Sequence, residues 1–141
     1  MISVAHGITG GVMGVLVRHP AGALLAGILS HVALDETPHW DYRTPAHAAL
    51  DLLVTALALG ALGWYLSRRH RPDLVAALVA GAIGGLLPDL EVAIGYFYHQ
   101  KMLFPTHSGL LPHPQVHSAL GIWTQVLVVG FDLLFLWFGV R

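Results

Sequence analysis

The chain has 141 residues, of which 55% are hydrophobic and only 11% are charged, and its formal net charge is −1. Soluble domains carry about 25% charged residues, so the composition excludes an ordinary soluble domain and indicates an integral membrane protein of one domain. The near-zero charge argues against a nucleic-acid partner, and the absence of cysteine excludes disulfide bonds and thiolate metal ligands.

Apolar segments separated by polar turns predict an all-α fold, an integral membrane bundle of about five helices within a single domain, residues 1–141. The first two segments, residues 1–17 and 21–34, are short for a membrane span, which needs about 20 residues. They form either tilted spans or a re-entrant hairpin. Residues 46–66 are the clearest transmembrane helix.

The second half of the chain continues the pattern. Residues 74–87 form the next helix, which we expect to end at Pro88 because proline cannot continue the hydrogen bonds of a helix. Residues 92–103 are aromatic and partly polar, which predicts a short interfacial helix near the lipid head groups. Residues 115–140 are the last span.

If the segments cross the membrane in alternating directions, the basic residues fall into two sets, one at each face of the membrane. Arg43 and Lys101 then lie at one face, and the other five lie at the opposite face: Arg18, Arg68, Arg69, Arg71 and Arg141. By the positive-inside rule the five-arginine face is cytoplasmic. We therefore expect an integral protein of the cytoplasmic membrane, with its N-terminus outside and its C-terminus in the cytoplasm.

Polarity is concentrated in residues 30–41, where the second apolar segment ends. His31 and Asp35 are four residues apart and share one face of a helix, and His39 and Asp41 follow closely. An imidazole and a carboxylate at this spacing, followed by a second such pair, form a plausible set of metal ligands. The alternative interpretation is a polar helix end whose carboxylates act as caps.

The rest of the chain supports the metal interpretation. Eight of the ten histidines and six of the eight acidic residues fall on the side opposite the arginine-rich face, several of them just within apolar runs, where ionisable groups are costly. The candidate metal ligands are His6, His31, Asp35, His39, Asp89, His107 and His117, and the candidate catalytic bases are Glu91, Asp41 and Glu36. Imidazole and carboxylate ligands favour a divalent metal, Zn first, with Mn or Fe as alternatives.

Other polar residues receive different interpretations. Asp51, near the outer end of the third helix, is predicted to orient a ligand imidazole. For Asp132, deep in the last helix, the sequence favours pairing with a neighbouring helix and leaves a proton relay as the alternative. His47 and His99 are expected at the surface, and for His113, between two prolines, the sequence leaves a ligand role and a surface role open.

Two short motifs resemble a known family. Residues 85–91 and the Thr-His-Ser of residues 106–108 are similar to the Gly-x-Leu-Leu-Pro-Asp-x-Asp and Thr-His-Ser elements of small bacterial and archaeal membrane-bound metal-dependent hydrolases. His6 matches the early histidine of that family, and Glu91 stands in place of its second Asp. The resemblance implies an all-helical fold related to zinc-dependent phospholipase C, with a metal cluster of His, Asp and Glu.

These observations predict a membrane-embedded metal-dependent hydrolase. Its metal cluster would lie at the extracytoplasmic helix ends and act on a lipid or phosphoester head group, with membrane lipids as partners. Two alternatives stay open. A metal-ion transporter or channel would place its ligands near the midplane with polar groups leading onward, and a haem-binding protein would hold two histidines facing each other across helices.

Overall fold

The structure, a computed structural model, describes residues 1–42 and 44–140. Its helices are α1 (Ser3–Val17), α2 (Pro20–Asp35), α3 (Pro45–Arg68), α4 (Val75–Tyr98) and α5 (Ala119–Gly139), and a 3-10 turn, Pro72–Leu74, precedes α4. The described residues contain no β-strand, so the predicted all-α fold is confirmed. Three elements are long and apolar enough to cross a membrane: α3, α4 together with its preceding turn, and α5.

The two short helices at the start form a hairpin. Their lengths are 15 and 16 residues, below the roughly 20 needed to cross a bilayer. Arg18 ends α1 in the left-handed region, at φ 62°, and Pro20 occupies the first turn of α2, where its missing N–H has no consequence. The chain therefore reverses over two residues.

Helix α4 packs against both members of this hairpin through residues without side chains. A Cβ atom on Gly10 of α1 would overlap the carbonyl oxygen of Gly81, and one on Gly84 would overlap that of Leu24 in α2. Close backbone approach of this kind is typical of helices that associate within membranes. The helices α1, α2 and α4 thus form the inner layer of the bundle.

Helices α3 and α5 form an outer layer that is mostly exposed. In α3 only Thr55 and Leu66 are buried, and in α5 only Gly121, Gln125 and Leu136. One buried apolar cluster joins the outer helices to the inner layer at the end of the bundle where α1 and α3 finish: Ile8, Val12, Val15, Leu66, Leu74, Leu78, Leu136 and Val140. The wide apolar surfaces of the outer helices suit contact with lipid.

Helix α4 differs from its prediction because it continues past Pro88 to Tyr98. Proline removes the donor that the carbonyl group of Gly84 would use, but membrane helices tolerate such prolines when neighbouring helices supply other contacts. Here His31 of α2 donates to the carbonyl oxygen of Gly85, at 2.7 Å. Residues 92–98 are consequently the last turns of α4 and do not form a separate interfacial helix.

The charge distribution is only partly visible in the structure. Arg18, Arg68 and Arg71 lie at the end of the bundle where α1 and α3 finish and α4 begins. The sequence-based assignment also uses Arg43 and Arg141, which lie outside the described residues. The direction of the chain across the membrane therefore stays a prediction.

Candidate metal centre

Asp35, the last residue of α2, is the centre of a buried group of imidazoles. Its side chain is fully buried. Oδ2 lies 3.1 Å from His31 Nε2 and 3.4 Å from His107 Nε2. Oδ1 lies 3.2 Å from His6 Nε2 and 3.8 Å from His113 Nε2. The two oxygens of one carboxylate thus face different imidazoles.

Helices of the inner layer position half of the cluster. His31 and Asp35 share a face of α2, as their spacing predicted, and His6 lies in the second turn of α1. The imidazole rings of His6 and His31 stack with their centroids 3.8 Å apart and their planes 16° from parallel. Asp89 comes from α4, one residue after the internal proline.

Two loops position the other half. His39 donates its backbone N–H to the carbonyl oxygen of Pro114 at 3.2 Å, and its own carbonyl oxygen accepts from Val116 N at 2.6 Å. This short parallel bridge joins the segment after α2 to the segment before α5. It brings the imidazoles of His39 and His113 together.

Three sets of side chains have ligand atoms close enough to share an ion, and Asp35 belongs to two of them. The first ligand group contains His31, His107 and Asp35, and Asp89 lies beside it, in a further set with His6 and His31. The Nε2 atoms of the two histidines are 3.4 Å apart. Asp89 Oδ1 lies 3.9 Å from His31 Nε2 and 3.7 Å from His107 Nε2. In a tetrahedral zinc site with Zn–N bonds of about 2.0–2.1 Å, neighbouring ligand atoms are roughly 3.3 Å apart. The spacings of 3.1–3.4 Å among His31, His107 and Asp35 are close to what one zinc-sized ion requires, whereas those to Asp89 are longer.

The second ligand group contains Asp35, His39 and His113. The Nε2 atoms of the two histidines are 2.9 Å apart. Asp41 Oδ2 lies 3.9 Å from His113 Nε2, at the edge of this group. Because Asp35 belongs to both groups, two ions could share its carboxylate.

Hydrogen bonds to backbone carbonyl groups fix the tautomers of two ligand imidazoles. His31 Nδ1 contacts Gly85 O and His39 Nδ1 contacts Thr37 O, each at 2.7 Å. A carbonyl oxygen can only accept, so the Nδ1 atom carries the proton in both rings. The neutral ring then has its lone pair on Nε2, which is the atom that faces the other ligands.

The loop histidines are held in the neutral form that binds metal. Burial lowers the pKa of His39 to about 4, and burial also lowers the pKa of His113. Both imidazoles are therefore uncharged at neutral pH. Their Nε2 atoms, 2.9 Å apart, need either a shared proton or a cation between them.

Unpartnered polar atoms concentrate in the cluster. Five buried side-chain nitrogen or oxygen atoms among the described residues have no hydrogen-bond partner, and four of them belong to His6, Asp89 and His107. Buried polar atoms are rarely left unpaired, because each costs free energy. One of these atoms, His6 Nε2, faces Asp35 Oδ1 at 3.2 Å, and a divalent cation between them would satisfy it.

A well-anchored loop delivers His107. Thr106 Oγ1 donates to Asp35 Oδ2 at 2.6 Å. The carboxylate of Glu91 accepts the backbone N–H groups of Leu103 at 2.7 Å and of Phe104 at 3.0 Å. Glu91, predicted as a catalytic base, thus lies outside the ligand groups and binds this loop.

The remaining predicted site residues lie in different places. Asp41 is partly exposed and accepts a hydrogen bond from Gln115 Nε2 at 3.1 Å, next to the second ligand group. Glu36 and His117 are exposed, and neither joins a potential metal-binding group in the described part of the chain. His113, for which the sequence left two roles open, is brought into the cluster by the bridge between the loops.

Asp51 does not contact an imidazole, contrary to its prediction. Its Oδ2 accepts the backbone N–H of Val4 at 3.0 Å and the hydroxyl group of Tyr42 at 2.5 Å. Tyr42 also accepts from Ser3 N. Burial and the bond to Asp51 raise the pKa of Tyr42, so its hydroxyl keeps its proton. Asp51 therefore fixes the first turn of α1, one turn before His6.

Comparison of the chain with models of protein families, with curated proteins and with solved structures finds no match. The resemblance to membrane-bound hydrolases rests on residues 85–91 and 106–108 and on His6 alone.

Proposed function

We propose that this protein is a membrane-embedded metal-dependent hydrolase that acts on the head group of a lipid or another phosphoester. The observation that carries the proposal is the buried Asp35 carboxylate, whose two oxygens each face two imidazoles at 3.1–3.8 Å. A fully buried carboxylate that faces four imidazoles suits cation binding better than it suits a purely structural hydrogen-bond network.

Named residues would hold the metal. His31, His107 and Asp89 would bind one ion with Asp35 Oδ2, and the loop histidines of the second group would bind another with Asp35 Oδ1. A divalent ion supplies two things here, a lowered pKa of bound water and neutralisation of charge on a phosphoryl oxygen. Asp41 is the partly exposed carboxylate beside the second group, and it would accept the proton of the attacking water.

The depth of the cluster sets how far the head group of a lipid substrate must enter the bundle. His6 and His31 each lie twelve residues from the turn at Arg18 and His19, which is about 18 Å along a helix. The hydrocarbon core is about 30 Å thick. If that turn marks one surface, His6 and His31 lie about 12 Å below the opposite surface of the core, and Asp35, sixteen residues from His19, lies about 6 Å below it. A lipid substrate would therefore have to bring its head group into the bundle to reach the metal.

Packing below the cluster argues against ion transport. A carrier or channel would need polar groups from the cluster to the other end of the bundle. That path is filled by the apolar cluster that includes Ile8, Val12 and Leu78. Asp132, the deep carboxylate, accepts a hydrogen bond from Thr9 and ties α5 to α1.

Ring packing argues against haem. A porphyrin between two axial histidines needs open space between their rings. The rings of His6 and His31 instead stack at 3.8 Å, and Asp35 lies between the remaining imidazoles. The site is therefore sized for bare ions.

The test combines metal content with activity. Detergent-purified wild type should contain stoichiometric Zn, Mn or Fe, and His31→Ala should lose metal. His117→Ala is the matched control because this histidine is exposed, and its metal content should equal that of wild type. Phosphate or head-group release from phospholipid should need the metal and stop with a chelator. Metal-loaded protein that hydrolyses neither phospholipid nor a soluble phosphoester would overturn the proposal.

A further inference from the structure

A cavity of about 580 Å³ lies on the other side of α1 from the metal centre. Its walls come from α1, from the segment after α2, from α3 and from α5. Val4 lines it, whereas His6 faces Asp35. Residues two positions apart point to nearly opposite faces of a helix, so α1 separates the cavity from the cluster. The volume is in the range of ligand pockets.

The exposed lining of this cavity is almost entirely apolar, and its few polar side chains lie at one end. The polar end is formed by Trp40, Tyr42, His47 and Asp51, and two of these residues flank Asp41 in sequence. The deeper part is lined by α5 residues such as Val126 and Leu133, which are apolar. A molecule with one polar end and one apolar end matches this order, with its polar end at the level of the metal centre.

The length of the cavity matches one leaflet. Its α5 wall runs from Ile122 to Leu133, and the eleven helical steps between these residues span about 16 Å. One leaflet contributes about half of the hydrocarbon core of about 30 Å. A transmembrane helix of a second copy would run the full thickness and leave half its length outside the cavity, whereas an acyl chain of one leaflet would fill it.

Hydrogen bonds hold the walls in place. Gln125 of α5 accepts the backbone N–H of Ile2 at 2.9 Å, and Asp51 of α3 accepts that of Val4 at 3.0 Å. Both outer helices are thus fixed to the start of α1. Further along, Tyr65 of α3 stacks on Trp137 of α5, with ring centroids 5.9 Å apart, which closes the space between the two helices.

We infer that this cavity binds one acyl chain of a membrane lipid and presents the head group of that lipid to the metal centre. The second half of the inference rests on the proposed function, because only a hydrolase would use the head group. The first half concerns binding alone and can be measured without turnover.

Two glycines provide a matched pair of variants. A Cβ atom at Gly130, in the cavity wall, and one at Gly60, on α3 outside the cavity, would each meet no atom within 4 Å. Gly130→Leu therefore fills the cavity without a clash, and Gly60→Leu adds the same side chain elsewhere. Native mass spectrometry of both variants after exchange into lipid-free detergent counts retained phospholipid.

We expect wild type and Gly60→Leu to retain one phospholipid and Gly130→Leu to retain none, with equal metal content in all three. Gly130→Leu should also raise the KM for a long-chain phospholipid at least tenfold while leaving hydrolysis of a soluble phosphoester unchanged. Equal lipid retention in the two variants, or a dimer that only Gly130→Leu dissociates, would overturn the inference. Neither result bears on whether the protein is a metal-dependent hydrolase, so the lipid-binding inference can be wrong while the proposed function holds.

Discussion

Thr106 donates a hydrogen bond to the carboxylate of Asp35 at 2.6 Å across 71 residues of sequence. The same carboxylate oxygen lies 3.1 Å from His31 Nε2 and 3.4 Å from His107 Nε2. One short hydroxyl contact therefore sets the orientation of the residue that both ligand groups share, and it places the neighbouring histidine at the same time.

Replacing Thr106 with valine tests this arrangement. The variant keeps the shape but removes the hydroxyl group, and loss of an orienting partner typically weakens metal binding by about 10–100-fold. We expect a weakening of that order, measured by competition with a chelator of known affinity. Thr124→Val is the control, because Thr124 is only partly buried and its hydroxyl donates to its own helix at Leu120 O. Unchanged affinity in Thr106→Val would show that the hydroxyl does not orient Asp35.

The role of Glu91 can be separated from that of a catalytic base. Its carboxylate accepts the backbone N–H groups of Leu103 and Phe104. Glu91→Ala should lower the free energy of unfolding by about 1–3 kcal/mol, since it removes the charged acceptor of two backbone hydrogen bonds, and it should weaken metal binding through His107. Glu91→Gln, which keeps one acceptor oxygen, should lie between Glu91→Ala and wild type.

A catalytic base would behave differently. Glu91→Gln would then reduce kcat by orders of magnitude while melting temperature and metal content stayed at wild-type values. That combination, from thermal denaturation, elemental analysis and initial rates on the same preparation, would restore the assignment made from sequence.

Gly85 connects helix packing to the metal centre. A Cβ atom there would overlap the carbonyl oxygen of His6, and the carbonyl group of Gly85 orients His31. Gly85→Ala should therefore destabilise the protein by about 1–3 kcal/mol, as overpacking does, and reduce metal content. Gly60→Ala should instead raise the free energy of unfolding by up to about 1 kcal/mol, because alanine favours the helix more than glycine does and its Cβ atom meets open space. Equal melting temperatures for the two variants would contradict the close approach of α1 and α4.

The metal-free protein should lose stability in acid. Burial lowers the pKa of His39 from 6.5 to about 4, so between these values the unfolded chain binds a proton that the folded chain does not. Stability therefore rises with pH across this window and falls as pH drops from 6.5 towards 4. Thermal denaturation in detergent with a chelator should show this decline. His39→Gln should reduce the dependence of melting temperature on pH. His47→Gln is the control, because His47 is exposed, and it should keep the wild-type dependence. Identical pH profiles for wild type and His39→Gln would contradict a buried neutral His39.

Local sequence patterns predicted the parts of the site that lie on helices. The i,i+4 spacing placed His31 and Asp35 on one face of α2, and the five-helix architecture followed from apolar length alone. Asp132 was predicted to pair with a neighbouring helix, and it accepts from Thr9.

Features that depend on tertiary contacts were not predictable from those patterns. His113 enters the cluster because two loops pair at His39 and Gln115, which no local pattern indicates. Pro88 was expected to end a helix, but packing against the α1–α2 hairpin keeps α4 intact. The carboxylate of Glu91 binds backbone N–H groups 12 and 13 residues ahead, and such bonds leave no signature in the sequence.

The central claim is that metal is bound at Asp35, and the metal content of Asp35→Asn tests it most directly. Elemental analysis should find stoichiometric divalent metal in the wild type. It should find much less in Asp35→Asn, because this carboxylate belongs to two of the three sets of ligand atoms. Circular dichroism and size-exclusion chromatography should show that the variant keeps its helical fold. A folded Asp35→Asn with wild-type metal content, or a wild type with no metal after supplementation, would contradict the account.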